Sequence, residues 1–332
     1  MTTTVGLVVN PAAGRDIRRL TGGASVSNNY AKRRTAGCVL AGLTVRDDID
    51  VRIMPDNGGL AESIVADAPS GIEIEPVEMP ITASWRDTRT AARHFSDVAD
   101  AVVVLGGDGT TRDVAQTIGD VPVVSISTGT NNVVPTPVDG TVAGAAAAFV
   151  ATGIVSVEEA SLTHGTIAAE IEDRKGDETI RGLATLGVLD QPFVGTRAIL
   201  DPSHIVGGVV SRASPAEIGI SAIAGALITH RPEDPGGVGF RLSRGDEPGT
   251  PVRAITVPGN LSEVRVADYE VLDDGEPYTF ELERGVISVD GEREREVKDG
   301  YIEIRPVADG PRIVDIDAVV EKAAREGYFS EA

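Results

Sequence analysis

Short apolar runs alternate with helical patterns through the first 150 residues, and this alternation restricts the fold more than any other feature of the sequence. A strand, a crossover helix and a further strand form the repeating unit of a parallel α/β sheet. The predicted strands are Val5–Val9, Val51–Met54, Ile72–Val77, Ala101–Leu105 and Val121–Ile126. The predicted helices are Asn29–Leu43, Leu60–Ala66, Asp87–Val98, Thr111–Ile118 and Thr141–Ala151. The chain is therefore expected to begin with an α/β domain.

After Gly153 the pattern changes to runs rich in Val, Ile and Thr, broken by turn clusters. Such runs are typical of an antiparallel sheet, and we expect a β-rich, sandwich-like second domain. Its predicted strands are Thr166–Glu172, Thr179–Val188, Val252–Val257, Ser262–Ala267, Tyr278–Leu282, Val286–Val289 and Tyr301–Arg305. The Pro- and Gly-rich loop Thr229–Gly239 is predicted to be a mobile flap.

A last helix, about Val314–Gly327, is predicted to pack back against one of the domains. The expected organisation thus has three segments. They are an α/β nucleotide- and phosphate-binding domain at 1–155, a β-rich substrate domain at 156–310, and the C-terminal helix at 311–332.

Acidic residues dominate the charge of the chain. Its 332 residues include 51 Asp and Glu against 30 Lys and Arg, a net charge of −21. Nucleic acids and anionic membranes require a basic face, so neither is expected as a partner. Only four of the basic residues are lysines. An acidic surface with few lysines suits high salt, where screening weakens self-repulsion; an ordinary acidic protein remains the alternative.

Several kinds of site are excluded by residue counts and spacing. Cys38 is the single cysteine, so no intramolecular disulfide or cysteine-based metal cluster can form. The four histidines have no ligand spacing, and no transition-metal site is expected. The sequence shows neither a signal-peptide pattern nor a run of about 20 apolar residues, which predicts a cytoplasmic protein without a membrane span. We also expect a homo-oligomer, and Trp85 and Phe95 are expected in a core or domain interface.

The most informative local motif is Gly106-Gly107-Asp108-Gly109-Thr110, where an apolar strand runs into a glycine-rich turn that opens a helix. Such glycines let backbone N–H groups approach a phosphate, and the helix N-terminus adds a favourable dipole. A carboxylate at position 108 is then unfavourable unless it accepts a proton or holds a cation. The motif favours phosphoryl transfer; the alternative is a tight turn with a helix-capping Asp.

A second turn, Ser127-Thr128-Gly129-Thr130-Asn131-Asn132, follows the next predicted strand. Turns after two successive parallel strands lie side by side at the carboxyl edge of the sheet, where ligands bind in open α/β folds. The amides of Asn131 and Asn132 can donate to phosphate or ribose oxygens and accept from hydroxyls. Turns stabilised by the asparagine side chains themselves are the alternative.

Two further turns complete the pattern. The first strand ends in Asn10-Pro11-Ala12-Ala13-Gly14-Arg15, with more arginines at positions 18 and 19. Arginines beside such an edge suit phosphate oxygens, although a solvated basic patch is the alternative. Late in the chain, Asp290-Gly291 between two apolar runs predicts a type I′ hairpin turn.

Together these motifs resemble the NAD kinase/diacylglycerol kinase-like superfamily. Gly106–Thr110 is its GGDGT motif, Gly129–Asn132 resembles its downstream GT-x-N turn, Asn10–Gly14 its opening NP-x-x-G, and Asp290-Gly291-Glu292 its late DGE/DGQ turn. Ser127–Pro135 is similar to the branch that contains acetoin-catabolism X proteins and archaeal predicted ATP-NAD kinases.

The resemblance implies an α/β domain and a β-rich domain with the active site in the cleft between them. It implies Mg²⁺-dependent transfer of the γ-phosphoryl group of ATP, or of a phosphoryl group from polyphosphate, to a hydroxyl, in NAD kinases the adenosine ribose 2′-hydroxyl of NAD. Asp108 would then orient or deprotonate the acceptor, Asn131 and Asn132 would bind it, and Asp290 and Glu292 would assist the metal or nucleotide. Phosphate and nucleotide binding would fall to Asn10, Gly14, Arg15, Gly106, Gly107, Gly109, Thr110, Thr128, Gly129 and Thr130.

The sequence also departs from NAD kinases. The Asn-Glu pair expected early in the second domain is missing from Gly182–Leu189, and Ser211–Ala216 stands where a Thr-Pro-Thr-Gly-Ser turn is expected. Both motifs serve acceptor recognition in the family. Kinase chemistry is therefore better supported than NAD as acceptor, and two alternatives remain: a kinase for another small-metabolite or lipid hydroxyl, and a non-catalytic nucleotide sensor.

Overall fold

The structure is a computed structural model that describes residues 2–13, 28–129, 132–194 and 201–329. Its helices are α1 Asn29–Leu43, α2 Leu60–Ala66, α3 Trp85–Val98, α4 Asp108–Ala115, α5 Gly140–Ala151, α6 Val157–Ala160, α7 Ile220–Gly225 and α8 Ile316–Arg325. The strands of the first half are β1 Thr3–Val9, β2 Ile49–Ile53, β3 Glu73–Pro76, β4 Ala101–Gly106, β5 Val123–Ser127 and β6 Ser161–Thr163. The later strands are β7 Thr166–Glu172, β8 Glu178–Gly182, β9 Thr185–Leu189, β10 Ile205–Val210, β11 Gly237–Leu242, β12 Thr250–Val257, β13 Asn260–Leu272, β14 Tyr278–Val289, β15 Glu292–Val307 and β16 Arg312–Val314.

The first sheet has seven strands in the order β3-β2-β1-β4-β5-β16-β6. All neighbours are parallel except β16 and β6. This confirms the predicted α/β fold, and α1 and α2 have the predicted bounds. From the central pair β1 and β4 the chain winds outward in opposite directions, so the strand order reverses between them. In open α/β sheets that reversal point is where ligands bind, beyond the carboxyl ends of the strands.

The helix after the GGDGT turn begins three residues earlier than predicted, at Asp108 rather than Thr111. Gly107 is its N-cap in an extended conformation, and Thr111 N donates to the Gly107 carbonyl oxygen at 3.0 Å. Asp108 therefore lies in the first helical turn, where the helix dipole favours a negative charge.

The second sheet has nine antiparallel strands in the order β12-β13-β11-β10-β9-β14-β15-β7-β8. This confirms the β-rich second half, although all nine strands belong to one hydrogen-bonded sheet. One apolar cluster is built from strand residues alone, which requires the sheet to curl around its own core. A second cluster adds the residues of α7.

Several strands differ from the prediction. The predicted strand Thr179–Val188 is divided into β8 and β9 by a turn at Leu183 and Ala184, and the two predicted strands within Tyr278–Val289 are one. The predicted flap is in part a strand, because Gly237–Gly239 begins β11 between β10 and β13. A side chain at Gly239 would lie 2.6 Å from the ring of Tyr278, so this glycine permits close packing rather than a mobile loop.

The predicted burial is right for Phe95 and wrong for Trp85. Phe95 is fully buried, whereas Trp85 is half exposed at the start of α3, with the Arg89 guanidinium 4.0 Å from its ring.

The end of the chain returns to the first sheet. β16 pairs with β5, and the last predicted helix is present as α8, with Val319 and Ala323 buried in the core beside α5. Among the described residues, no helix is both long and apolar enough to cross a membrane.

Candidate functional site

The GGDGT turn is held by contacts that only glycine permits. A Cβ atom at Gly106 would lie 2.5 Å from Cβ of Thr110, and one at Gly107 would lie 2.8 Å from Oδ1 of Asn132. A Cβ at Gly109 would meet nothing within 4 Å. Gly106 and Gly107 thus allow Thr110 and Asn132 to pack closely against the turn, whereas Gly109 leaves open space beside the helix N-terminus.

Asp108 is buried and is tied to the second turn. Its Oδ2 accepts from the backbone N–H of Val133 at 2.9 Å, and its Oδ1 accepts from that of Val134 at 2.9 Å. Its own N–H donates to Oδ1 of Asn132 at 3.3 Å. The two turns that the sequence placed side by side therefore meet at this carboxylate.

The surroundings of Asp108 oppose its ionisation. Burial is the largest influence, the negative charge of Asp290 adds to it, and the hydrogen bonds from Val133 and Val134 act in the opposite direction. Glu217 contributes a smaller repulsion. Together these raise the pKa of Asp108 to about 7, so the side chain can exchange a proton near neutral pH.

The opening turn lies against the same site. Nδ2 of Asn10 donates to Oγ1 of Thr110 at 2.9 Å, and the N–H of Thr128 donates to the Gly106 carbonyl oxygen at 2.9 Å. The Thr128 hydroxyl is buried and has no hydrogen-bond partner among the described residues. The structure thus brings together all three turns at the carboxyl edge of the first sheet.

Asn132, predicted to bind the acceptor, has its side chain engaged within the turn. Its Nδ2 donates to Oγ of Ser127 at 2.7 Å, and its Oδ1 accepts from Asp108. Oγ of Ser127 in turn donates to the Gly129 carbonyl oxygen at 2.7 Å. Asn132 therefore shapes the turn around Asp108. The predicted site residues Gly14, Arg15, Thr130 and Asn131 lie outside the described residues.

The Asp290-Gly291 turn joins β14 to β15 as the predicted type I′ hairpin, with φ angles of 48° and 78°. The Asp290 side chain is fully buried and accepts from the backbone N–H groups of Leu183, Ala184 and Thr185 at 2.8 to 3.0 Å. The carboxylate is therefore held by the backbone at the start of β9, and its predicted role of assisting the metal or nucleotide stays a prediction. Glu292, half-buried, begins β15 beside this turn.

A cleft lies between the two sheets. Asp108 and Val133 line it from the first half of the chain, and the β14–β15 turn and β9 line it from the second. Its other walls are largely apolar. The remaining lining residues are Thr185, Pro202, Ile205, Ile218, Gly219, Ile220, Thr256, Val257 and Ser288.

The residues beside the cleft fit a bound phosphate chain. The N–H groups of Gly107 and Gly109 have no acceptor among the described residues, and the Thr128 hydroxyl is unpartnered beside them. Such donors at a helix N-terminus are the usual elements of a phosphate site. In the described parts of the chain, no group of three or more His, Cys, Asp or Glu side chains could hold a metal ion. A Mg²⁺ ion would therefore depend on nucleotide phosphates and water for most of its ligands.

Two family models match successive parts of the chain. Residues 5–155 match the model of the ATP-NAD kinase N-terminal domain. Residues 167–309 match the model of the acetoin catabolism protein X C-terminal domain.

Acetoin catabolism protein X from Cupriavidus necator is 32% identical over 300 residues, which cover 87% of this chain and 83% of that protein. The chain belongs to the acetoin catabolism protein X family. This agrees with the resemblance found in Ser127–Pro135.

Solved structures confirm the fold of this acetoin catabolism protein X family member. Yeast NADH kinase, crystallised with NADH, matches with a TM-score of 0.53 and 13% identity, covering all of this chain and 89% of that one. A diacylglycerol kinase from Bacillus anthracis str. Sterne covers 94% of this chain and 97% of its own at 13% identity, with a TM-score of 0.38, too low to support a conclusion.

Two charged residues of this family member escaped the sequence analysis. Arg112 lies one helical turn after Asp108 and reaches the β14–β15 hairpin. Glu217 is buried before α7 and pairs with Arg212. For both residues, the signal in the sequence was a charged side chain within a segment expected to be buried. The amides of Val133 and Val134 could not be found in this way, because any residue supplies them.

Proposed function

We propose that this protein transfers a phosphoryl group from ATP to a hydroxyl acceptor bound in the cleft. The observation that carries the proposal is Asp108: a buried carboxylate that faces the cleft, adjoins phosphate-binding turns and has a pKa of about 7. A general base works best when its pKa lies near the working pH. The match to the ATP-NAD kinase N-terminal domain supports the same chemistry.

In the proposed reaction, the acceptor oxygen forms a bond to the γ-phosphorus while the bond to the β,γ-bridging oxygen breaks. ADP leaves with the bonding electron pair, and the hydroxyl proton passes to the Asp108 carboxylate. The amides of Val133 and Val134 hold that carboxylate in one orientation. The protein contributes mainly position and charge stabilisation, as expected for phosphoryl transfer.

The donor phosphates are assigned to the carboxyl edge of the first sheet. The N–H groups of Gly107 and Gly109 and the Thr128 hydroxyl would donate to phosphate oxygens, and Asn10 would hold Thr110 in place. Mg²⁺, when bound with ATP, supplies the positive charge that neutralises the phosphates. Arg15, which we predicted from the sequence to bind phosphate, keeps that predicted role.

NAD is the first acceptor to test, because residues 5–155 match the ATP-NAD kinase N-terminal domain and the apolar walls of the cleft suit an adenine ring beside Asp108. A different hydroxyl compound is the second candidate. It is favoured by the backbone at Leu183–Thr185, which is bound to Asp290 where NAD kinases carry their Asn-Glu pair.

The proposal is tested by incubating the protein with ATP, Mg²⁺ and NAD in low-salt and molar-salt buffer and measuring ADP and NADP. Formation of both identifies a NAD kinase. ADP that forms only when another acceptor from a panel of nucleosides, polyols and lipid headgroups is present identifies a different kinase. Absence of acceptor-dependent ADP throughout would overturn the proposal.

A further inference from the structure

Arg112 is a buried cation in the middle of the site. It lies on α4 four residues after Asp108, and its side chain is 11% exposed. Residues four apart share one face of a helix, so Arg112 and Asp108 point to the same side. Burying an arginine is unfavourable unless several acceptors compensate it.

All the hydrogen bonds and ion pairs described for Arg112 are made with the β14–β15 hairpin, and the charge of Asp113 on its own helix adds to the compensation. Its Nη2 lies 3.0 Å from Oε1 of Glu294, and its Nη1 lies 3.6 Å from Oδ2 of Asp290 and donates to the Val289 carbonyl oxygen at 3.3 Å. Burial lowers the pKa of Arg112, but the surrounding carboxylates, Asp290 first, then Glu294, Asp113 and Glu292, together raise that pKa above its ordinary value. Arg112 therefore stays charged and binds the second sheet to the first.

Asp290 passes this connection on to a third segment. The oxygen that faces Arg112 also accepts from the N–H of Leu183, and its other oxygen accepts from those of Ala184 and Thr185. Thr185, Asp290 and Gly291 all line the cleft opposite Asp108. Arg112, on the helix that follows the GGDGT turn, is thus linked through Asp290 to the opposite wall of the cleft.

We propose that Arg112 is a positioning residue that docks the Asp290-Gly291 turn against α4 and so fixes the distance and charge balance between Asp290 and Asp108. This inference rests on the proposed function, because it assigns Arg112 to the proposed base. Without the arginine the turn would lose this contact with α4 but would stay anchored by the pairing of β14 with β15. The charge of Asp290 would then act on Asp108 uncompensated.

The charged groups facing Asp108 define the expected effect on its ionisation. They are Asp290 on the hairpin and Glu217 before α7, where Glu217 is paired with Arg212; Arg112 acts on Asp108 through its ion pair with Asp290. Asp290 is the largest charge effect on Asp108. Removal of Arg112 should therefore raise the pKa of Asp108 further.

The experiment compares Arg112→Gln and Arg112→Lys with Arg89→Gln in the full-length protein. Arg89 is the matched control because its Nη2 pairs with Asp113, the next residue of the same helix, at 2.9 Å and within the first half of the chain. Each glutamine variant removes the arginine of an ion pair in which α4 takes part. Only the Arg112 variant breaks the link to the hairpin.

Hydrogen exchange gives a readout that needs no substrate. In Arg112→Gln the amides of Leu183, Ala184 and Thr185 should exchange at least tenfold faster than in the wild type. Arg112→Lys should exchange at an intermediate rate, and Arg89→Gln should leave these amides unchanged. Equal exchange in the wild type and Arg112→Gln, or the same acceleration in Arg89→Gln, would overturn the proposal.

The pH profile of kcat/KM gives the second readout. Arg112→Gln should move the acidic limb upward by at least half a pH unit, with partial rescue by Arg112→Lys, and Arg89→Gln should not move it. An unmoved limb in an active Arg112→Gln variant also contradicts the proposal. If the wild type has no acceptor-dependent activity, the proposed function fails, and the exchange experiment still decides whether Arg112 docks the turn.

Discussion

Asp108 and Asp290 are the same residue type at two glycine turns on opposite walls of one cleft, yet their surroundings differ. Asp108 accepts from two backbone N–H groups and faces the carboxylates of Asp290 and Glu217. Asp290 accepts from three backbone N–H groups and has Arg112 beside it. The first carboxylate is left able to take a proton, and the second is held in place by three backbone donors and an arginine.

Under the proposed function, the reactive carboxylate is the one that the fold leaves incompletely compensated. A buried carboxylate surrounded by donors stabilises the structure, because its removal leaves those donors unsatisfied. A buried carboxylate with fewer donors and like charges nearby reduces stability at neutral pH but gains a useful pKa.

The largest expected effect is that of replacing Asp108. Asp108→Asn should lower kcat by about 10² to 10⁴-fold, because the variant can no longer accept the acceptor's proton. Steady-state ADP formation measures it, with Asp113→Asn on the same helix as the control. A variant that keeps wild-type turnover would show that Asp108 is not the base; unchanged ATP binding without turnover in either protein would indicate a nucleotide sensor.

Asp108→Asn also tests the direction of the stability effect. The unfolded chain loses this proton near its ordinary pKa of 3.8 and the folded chain near 7, so ionisation of Asp108 reduces stability as the pH rises through this window. Relative to the wild type, the melting temperature of the variant should therefore be higher at pH 8 than at pH 5. A difference between the two proteins that does not change with pH would contradict the assigned pKa.

The next largest effect is expected for Asp290. Asp290→Ala should reduce the free energy of unfolding by about 3 kcal/mol or more, because it leaves three buried N–H groups and Arg112 without their carboxylate. Urea unfolding at pH 7.5 measures this loss against that of Asp108→Ala. Equal or greater destabilisation by Asp108→Ala would remove the distinction between the two aspartates.

A smaller effect is expected at the turn after β5, which contains Thr128. Thr128→Val removes the unpartnered hydroxyl at nearly constant volume and should raise the KM for ATP about tenfold, the effect of one hydrogen bond to a charged group. Thr44→Val is the control, because its hydroxyl bonds to the Ala41 carbonyl oxygen at the end of α1. An unchanged KM would place the phosphates elsewhere.

The smallest expected effect is that of salt on the acidic surface, away from Asp108 and Asp290. With a net charge of −21, the melting temperature should rise by several degrees between 0.1 M and 2 M KCl, as the Debye length falls from about 10 Å to about 2 Å. A melting temperature that does not rise would support the ordinary acidic protein instead of adaptation to high salt.

The sequence predicted the parts of the fold that depend on local pattern. The α/β alternation, the bounds of α1 and α2 and the Asp290-Gly291 turn follow from periodicity and turn chemistry. β10 and β11 were missed because glycines at positions such as 237 and 239 usually mark loops, whereas here they allow close packing.

The candidate site could be predicted at the level of motifs but not of contacts. The three edge turns meet as expected, since parallel strands end at one edge of a sheet. The engagement of Asn132 within its turn and the capture of Asp290 by amides depend on distant backbone groups. Arg112 was missed because its partners come from a hairpin more than 170 residues away.

The most direct test of the account is the pH dependence of kcat/KM for acceptor-dependent ADP formation by the wild-type protein. If Asp108 is the base of a kinase, kcat/KM should fall about tenfold per pH unit below a midpoint near 7, the pKa of its carboxyl group. A profile that is flat between pH 5.5 and 8, or a midpoint near 4, would contradict the account.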